Sequence, residues 1–202
     1  FAAYNKDDFE QTRLLADEIL ATETANAYEK AVSAQLAAQA AYNSDENAAA
    51  KTYLQQAVDF NGLDNNGHLQ SMLMLAQLQL QDEEYDVGLV NIDKFFTESQ
   101  SKRAEDLIIK GQALYQTERY AEAIPVLQQA IAAAGEPKDQ WNQLLMAAYS
   151  SNDQGAEAVA VARQIAERSP EDKRAQINLA SMYMQTDQMA QAAEVMERLR
   201  AA

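Results

Sequence analysis

The chain contains no cysteine, which excludes disulfides, thiolate metal sites and a cysteine nucleophile together. Six glycines and three prolines in 202 residues are too few to punctuate a turn-rich β protein. Basic side chains are also scarce: 16 Lys and Arg stand against 31 Asp and Glu, a formal net charge of −15. No face gathers the cations, so a nucleic-acid backbone would be repelled and nucleic acid is not an expected partner. The acidity by itself keeps a surface soluble and names no function. No apolar run approaches bilayer length, residues 72–76 being among the longest, so membrane insertion is not expected.

His68 is the single histidine. Beside Asn65, Asn66 and Gly67 it reads as a solvated residue of a loop, with nothing to complete a metal site. Asp59, Asn61 and Asp64 invite a calcium reading, but the Asp-x-Asn-x-Asp-Gly run and the following bidentate Glu are missing. The acid pairs Asp7-Asp8, Glu83-Glu84 and Glu171-Asp172 fall near helix starts, where carboxylates cap free amides. No phosphate loop, nucleophile elbow or Ser-x-x-Lys motif occurs. The expectation is a non-enzyme with no catalytic residue, metal or cofactor.

What is present is Ala, Leu, Gln and Glu in helical proportion, with 48% apolar residues, which predicts a folded all-α chain. The segment Gly111 to Ala123, GQALYQTERYAEA, has copies up and down the chain. Small residues open a second helix at Gly88, Ala123, Ala158 and Ala192, in steps of 35, 35 and 34. That is the period of a helix-turn-helix repeat. Small residues let two antiparallel helices approach, here Gly111 against Ala123 and Ala180 against Ala192. One pair cannot bury its apolar faces alone, so each stacks on its neighbours.

The spacing resembles the 34-residue unit of the tetratricopeptide repeat family. Leu107, Gly111, Leu114, Ala123, Leu127 and Ala130 match its positions 4, 8, 11, 20, 24 and 27. Leu179, Ala180, Tyr183, Ala192, Met196 and Leu199 match 7, 8, 11, 20, 24 and 27 in the last unit. The unit from Lys138 has Trp141 at position 4 and Leu144 at 7, and fits with one extra residue near Gly155, in a lengthened turn. Trp141, Tyr183, Met196 and Phe95 take interior positions, and Tyr85 and Tyr120 pack between neighbouring repeats. Pro125, just past a first turn, leaves a carbonyl unpaired or kinks its helix.

The resemblance implies an all-α, right-handed superhelical solenoid of antiparallel helix pairs. Residues 1–22 read as the second half of a cut repeat, since Ala3 to Thr12 aligns with Leu114 to Ala123. On that reading Phe1 falls inside a shortened first helix ending at Lys6, and the natural protein extends upstream. A degenerate pair follows over 24–62. Repeats then occupy 69–100, 104–137, 138–172 and 173–202, all one solenoid domain, with breakers at Asn61-Gly62, Glu136-Pro137 and Ser169-Pro170.

In this family the first helices line a concave surface through positions 2, 5, 9, 12 and 13. The resemblance thus implies a protein or peptide partner held by Leu73, Gln77 and Leu80, then Ile108, Gln112, Tyr115 and Gln116. Asn142, Met146 and Tyr149 continue the strip, and Ile177, Ser181 and Met184 complete it. The lysine, arginine and asparagine clamp of chaperone-tail binders is lacking, with only Asn142 and Arg174 suggestive of it. The Gln- and Ala-rich texture resembles bacterial tetratricopeptide proteins that accompany envelope or TonB-linked transport machinery, which implies the periplasm or envelope over the cytoplasm. The function expected is a protein-interaction scaffold. Its rivals are self-assembly through end-to-end contacts and a regulatory appendage of a longer protein.

Overall fold

The computed structural model describes residues 3–6, 8–136 and 138–201, and of Ala201 only its backbone. Phe1 and Pro137 lie outside the described residues. A 3₁₀ turn, Tyr4–Lys6, precedes eleven α-helices, with no strand among the described residues: α1 (Phe9–Ala21), α2 (Ala27–Asn43), α3 (Asn47–Phe60), α4 (Asn65–Gln81), α5 (Tyr85–Ser99), α6 (Ala104–Gln116), α7 (Tyr120–Ala133), α8 (Asp139–Ser151), α9 (Gly155–Arg168), α10 (Lys173–Gln185) and α11 (Met189–Ala201). The chain is described as two compact units, one ending at Ser101 and the other beginning at Lys102.

In the first unit α2 pairs with α3, α4 pairs with α5, and α1 packs on α2. Helix α2 is buried almost entirely through alanine, including Ala31, Ala34, Ala37, Ala38 and Ala41, which allows close helix approach. The join between pairs is made by Leu54 of α3 against Leu75 and Leu78 of α4, over Ala38, Ala41 and Ala50. Leu54 is 1% exposed, and its burial is worth about 1.5–3 kcal/mol. In the second unit α6, α8 and α10 each pair with the helix that follows, and α7–α8 and α9–α10 contacts join the pairs. There, a Cβ added at Gly111 would stand 2.8 Å from Leu127 Cγ, so glycine is what permits the α6–α7 approach.

Every turn inside a pair has the same build. Its middle residue is an acid with positive φ: Asp45 (60°), Glu83 (62°), Glu118 (59°), Asp153 (57°) and Asp187 (58°). The next amide closes back on the first helix, as in Arg119 N to Leu114 O at 2.9 Å and Gln154 N to Tyr149 O at 2.9 Å. This is a Schellman closure with an acid in place of the usual glycine. The same bond joins Asp8 N to Ala3 O at 3.1 Å, and the Tyr4 and Phe9 rings lie 6.2 Å apart, as Tyr115 and Tyr120 lie 5.4 Å apart. These two contacts of Ala3, Tyr4, Asp8 and Phe9 match those of the aligned Leu114, Tyr115, Arg119 and Tyr120. Before α1 the described residues hold a 3₁₀ turn, Tyr4–Lys6, and the start of the short helix that the alignment predicts lies outside the described residues.

These turns correct the register of one repeat. The turn between α8 and α9 is no longer than the others, so no extra residue sits near Gly155. The added residue belongs to the connection 134–138 that precedes α8, one longer than the connection 169–172 before α10. Relative to the left-handed turn residue, Tyr149 then stands where Leu114 and Tyr183 stand, Met146 matches Gly111, and Asn142 rather than Trp141 matches Leu107.

Other expectations are corrected as well. Helix α4 starts at Asn65 because Asp64 caps it, accepting from Gly67 N at 2.7 Å. His68 therefore lies in a helix and is buried at 9% exposure, with Nε2 at 3.4 Å from Glu98 Oε2. Met196 is 48% exposed while its neighbour Val195 points inward at 2%. The matching residues Leu127 and Ala162 are buried on helices that have another helix packed after them, and none follows α11 among the described residues. Tyr120 packs on Tyr115 of its own pair. Pro125 sits on the exposed side of an unbroken α7, so the Ala121 carbonyl that it leaves without an amide, on an exposed residue, is open to water. Asp8 and Asp172 cap α1 and α10, accepting from Gln11 N and Arg174 N; Glu84 instead accepts from Lys51 Nζ.

Candidate partner-binding face

The positions that face outward on the first helix of each pair can be indexed from the left-handed turn residue, at ten, six, three and two residues before it. On α4 these are Leu73, Gln77, Leu80 and Gln81; on α6, Ile108, Gln112, Tyr115 and Gln116; on α10, Ile177, Ser181, Met184 and Gln185. All are exposed or half-buried. Ile177 and Met184 are 48% and 46% exposed. Leu73 is half-buried and packs on Val58, Met72 and Phe95, so its role is shared with the core.

On α8 the corrected register moves the face to Gln143, Ala147, Ser150 and Ser151, none of them buried. Asn142 and Tyr149 are 6% and 7% exposed and sit at packing positions. The Tyr149 hydroxyl accepts from Gln128 Nε2 of α7 at 2.6 Å. Met146 is half-buried at the position of Gly111. One turn of the array later the Tyr183 hydroxyl accepts from Arg163 Nη2 at 3.0 Å, so both tyrosines fasten one pair to the next. Arg174 is exposed in the first turn of α10.

On α2 the same index selects Gln35, Gln39, Tyr42 and Asn43, which the sequence analysis does not single out. Gln35 and Gln39 belong to a pocket of about 250 Å³ between α2 and α4, lined also by Tyr4, Leu36, Leu54, Gln70, Ser71 and Met74. Gln35 Nε2 bridges the two helices, donating to Ser71 Oγ at 3.1 Å and Gly67 O at 3.3 Å. Its Oε1 is left to accept. A wider depression of about 520 Å³ near Ile19 and Tyr28 is built by the α1–α2 loop rather than by the row of first helices. Among the described residues no group of His, Asp and Glu gathers where it could hold a metal ion, and no helix is long and apolar enough to cross a membrane.

Paired helices stacked through small residues, with side chains of the first helices turned outward, define a helical-repeat interaction fold. The tetratricopeptide repeat-like domain family matches residues 2–148, and a tetratricopeptide repeat matches residues 149–202. The chain belongs to the tetratricopeptide repeat family. No curated protein sequence matches it significantly. Among solved structures it is similar to residues 41 to the end of MamA from Desulfovibrio magneticus RS-1, at 21% identity and a TM-score of 0.69, over 85% of this chain and 96% of that one. YrrB, described as a TPR protein with an unusual peptide-binding site, aligns at 16% identity and a TM-score of 0.68, over 83% of each chain. Another MamA structure gives 16% identity and a TM-score of 0.71, over 83% of this chain and 88% of that one. These likenesses establish the tetratricopeptide solenoid fold.

Proposed function

We propose that the chain is a protein-interaction scaffold that holds segments of a partner protein on the outward faces of its first helices, without catalysing a reaction. The observation that carries this reading is the set of uncharged outward side chains, exposed or half-buried, that each first helix presents, with the pocket between α2 and α4 as an anchor site. Exposed apolar anchors beside open amides suit an extended peptide or a helix. The peptide-binding description of YrrB supports the same class of role. The test is recovery of bound protein from the source cell by the tagged chain and by its Ile177→Asp and Gln77→Lys variants. Loss of specific partners with both, at unchanged helicity, is expected; full recovery with both overturns the reading.

A second reading, self-association, draws on Met189 and Met196 of α11, which are 57% and 48% exposed. Sedimentation over a range of concentrations tests it, with a monomer throughout as the contrary result.

A further inference from the structure

At the four outward positions nearest the turn the first helices carry no charge, while the fifth, toward the helix start, is uncharged on α2, α4 and α8 and charged on α6 and α10 as Glu105 and Arg174. Four outward positions on each of α2, α4, α6, α8 and α10 make twenty, and none is Asp, Glu, Lys or Arg. At the chain-wide frequency of 23% charged residues about five would be expected, since charges of alternating sign are common on a solvated helical face. Burial does not explain the deficit, because every one of the twenty is exposed or half-buried. Glutamine replaces charge, spaced one helical turn apart as Gln35 and Gln39, Gln77 and Gln81, and Gln112 and Gln116. The second helices, by contrast, carry charge on their exposed positions, such as Glu122, Glu157 and Glu194.

We infer that the occupant of the α2–α4 face of the first unit is an extended polypeptide segment with no charged side chains at its contact positions, held by the amides of Gln39, Gln77 and Gln81 and by an apolar side chain of its own set in the α2–α4 pocket. The inference rests on the scaffold reading above and specifies its partner. A primary amide offers both a donor and an acceptor, the complement of a main-chain amide. A charged group brought against neutral amides would lose hydration without gaining an opposite charge. The chain's net charge of −15 repels acidic segments at longer range, and the neutral face gives basic segments nothing to pair with. The pocket floor of Leu36, Leu54 and Met74 supplies the apolar contact.

The test probes the labelled chain against immobilised extended peptides of three compositions: uncharged (Ala, Gln, Leu, Ser, Thr), acidic and basic. Retention on the uncharged set is expected, with a Kd that changes less than about twofold between roughly 50 and 500 mM NaCl, since only charged contacts are screened. Gln39→Lys and Gln77→Lys, at half-buried and exposed positions, should weaken that binding about tenfold while leaving the melting curve in place. Selection of acidic or basic peptides that these variants still affect overturns the uncharged class and keeps the face. Binding indifferent to both variants overturns the face itself, and absence of binding to all three sets overturns both.

Discussion

Gln128 of α7 donates to the Tyr149 hydroxyl of α8 at 2.6 Å, and Arg163 of α9 repeats the contact to Tyr183 of α10 at 3.0 Å. A tyrosine 7% exposed with its hydroxyl occupied is a fastener between repeats. Tyr149→Phe should therefore cost about 0.5–1.5 kcal/mol, the net worth of one hydrogen bond, and Tyr149→Ala about 3–5 kcal/mol. Met184→Ala, at a half-exposed site, should stay within about 0.5 kcal/mol. Urea unfolding followed by circular dichroism separates the three. A Tyr149→Ala variant as stable as the parent would show that this residue does not fasten α8 to α7.

Gly111→Ala should destabilise although alanine is the better helix former. The gain in helix propensity is about 1 kcal/mol, but the new methyl would stand 2.8 Å from Cγ of Leu127, a side chain with no exposure, and overpacking costs about 1–3 kcal/mol. Combining it with Leu127→Ala should cost less than the two single changes added, because the cavity made by one accepts the methyl of the other. Strict additivity in unfolding free energies would show that the two residues do not meet.

The repeat period, the small residues at the helix crossings and the family were legible because they follow from chemistry within one pair. Gly88, Ala123, Ala158 and Ala192 mark a close approach wherever they fall. The register of α8 was not legible, since a single added residue can be placed on either side of a helix. Trp141 and Leu144 imitate the large residues of the pattern, and only the fixed three-residue turns show that the addition lies before α8. That shift moves the outward positions of α8 from Asn142, Met146 and Tyr149 to Gln143, Ala147 and Ser150. The α2 face escaped notice because alanine dominates the helix, although Ser44-Asp45-Glu46 carries the turn that would have indexed Gln35 and Gln39. Asn65-Asn66-Gly67 reads as a loop by composition, and the Asp64 cap turns it into the first turn of α4.

Glu118 has φ of 59°, in the left-handed region that costs an L-residue about 1–2 kcal/mol. Glu118→Gly removes that strain, gives back some entropy to the unfolded chain, and loses a carboxylate near the start of α7 worth a few tenths of a kcal/mol. The expected net gain is about 0.5 kcal/mol, seen as a raised urea midpoint. Glu118→Ala keeps the strain and loses the charge, so it should be neutral or slightly destabilising. A stabilising alanine would show that charge repulsion, not the backbone, sets the cost.

Lys51 of α3 reaches across to the turn between α4 and α5, with Nζ at 2.6 Å from Asp82 Oδ2 and 2.7 Å from Glu84 Oε1. Hydrogen bonding to Asp82, then to Glu84, raises its pKa above the usual lysine value. Tyr53 on the same helix is also raised, first by burial and then by its hydrogen bond to Asp17. Both shifts favour the protonated side chain in the folded state. Their contribution is therefore complete below the unfolded values and is lost as pH climbs through the folded ones, in a window above about pH 10. Lys51→Met should cost about 0.5–1 kcal/mol at neutral pH, since both carboxylates are partly solvated. The difference from the parent should shrink toward zero as the lysine deprotonates. Urea midpoints for parent and Lys51→Met across pH 7 to about pH 11 provide the measurement. A constant offset over the whole range would assign the effect to packing of the lysine stem rather than to its charge.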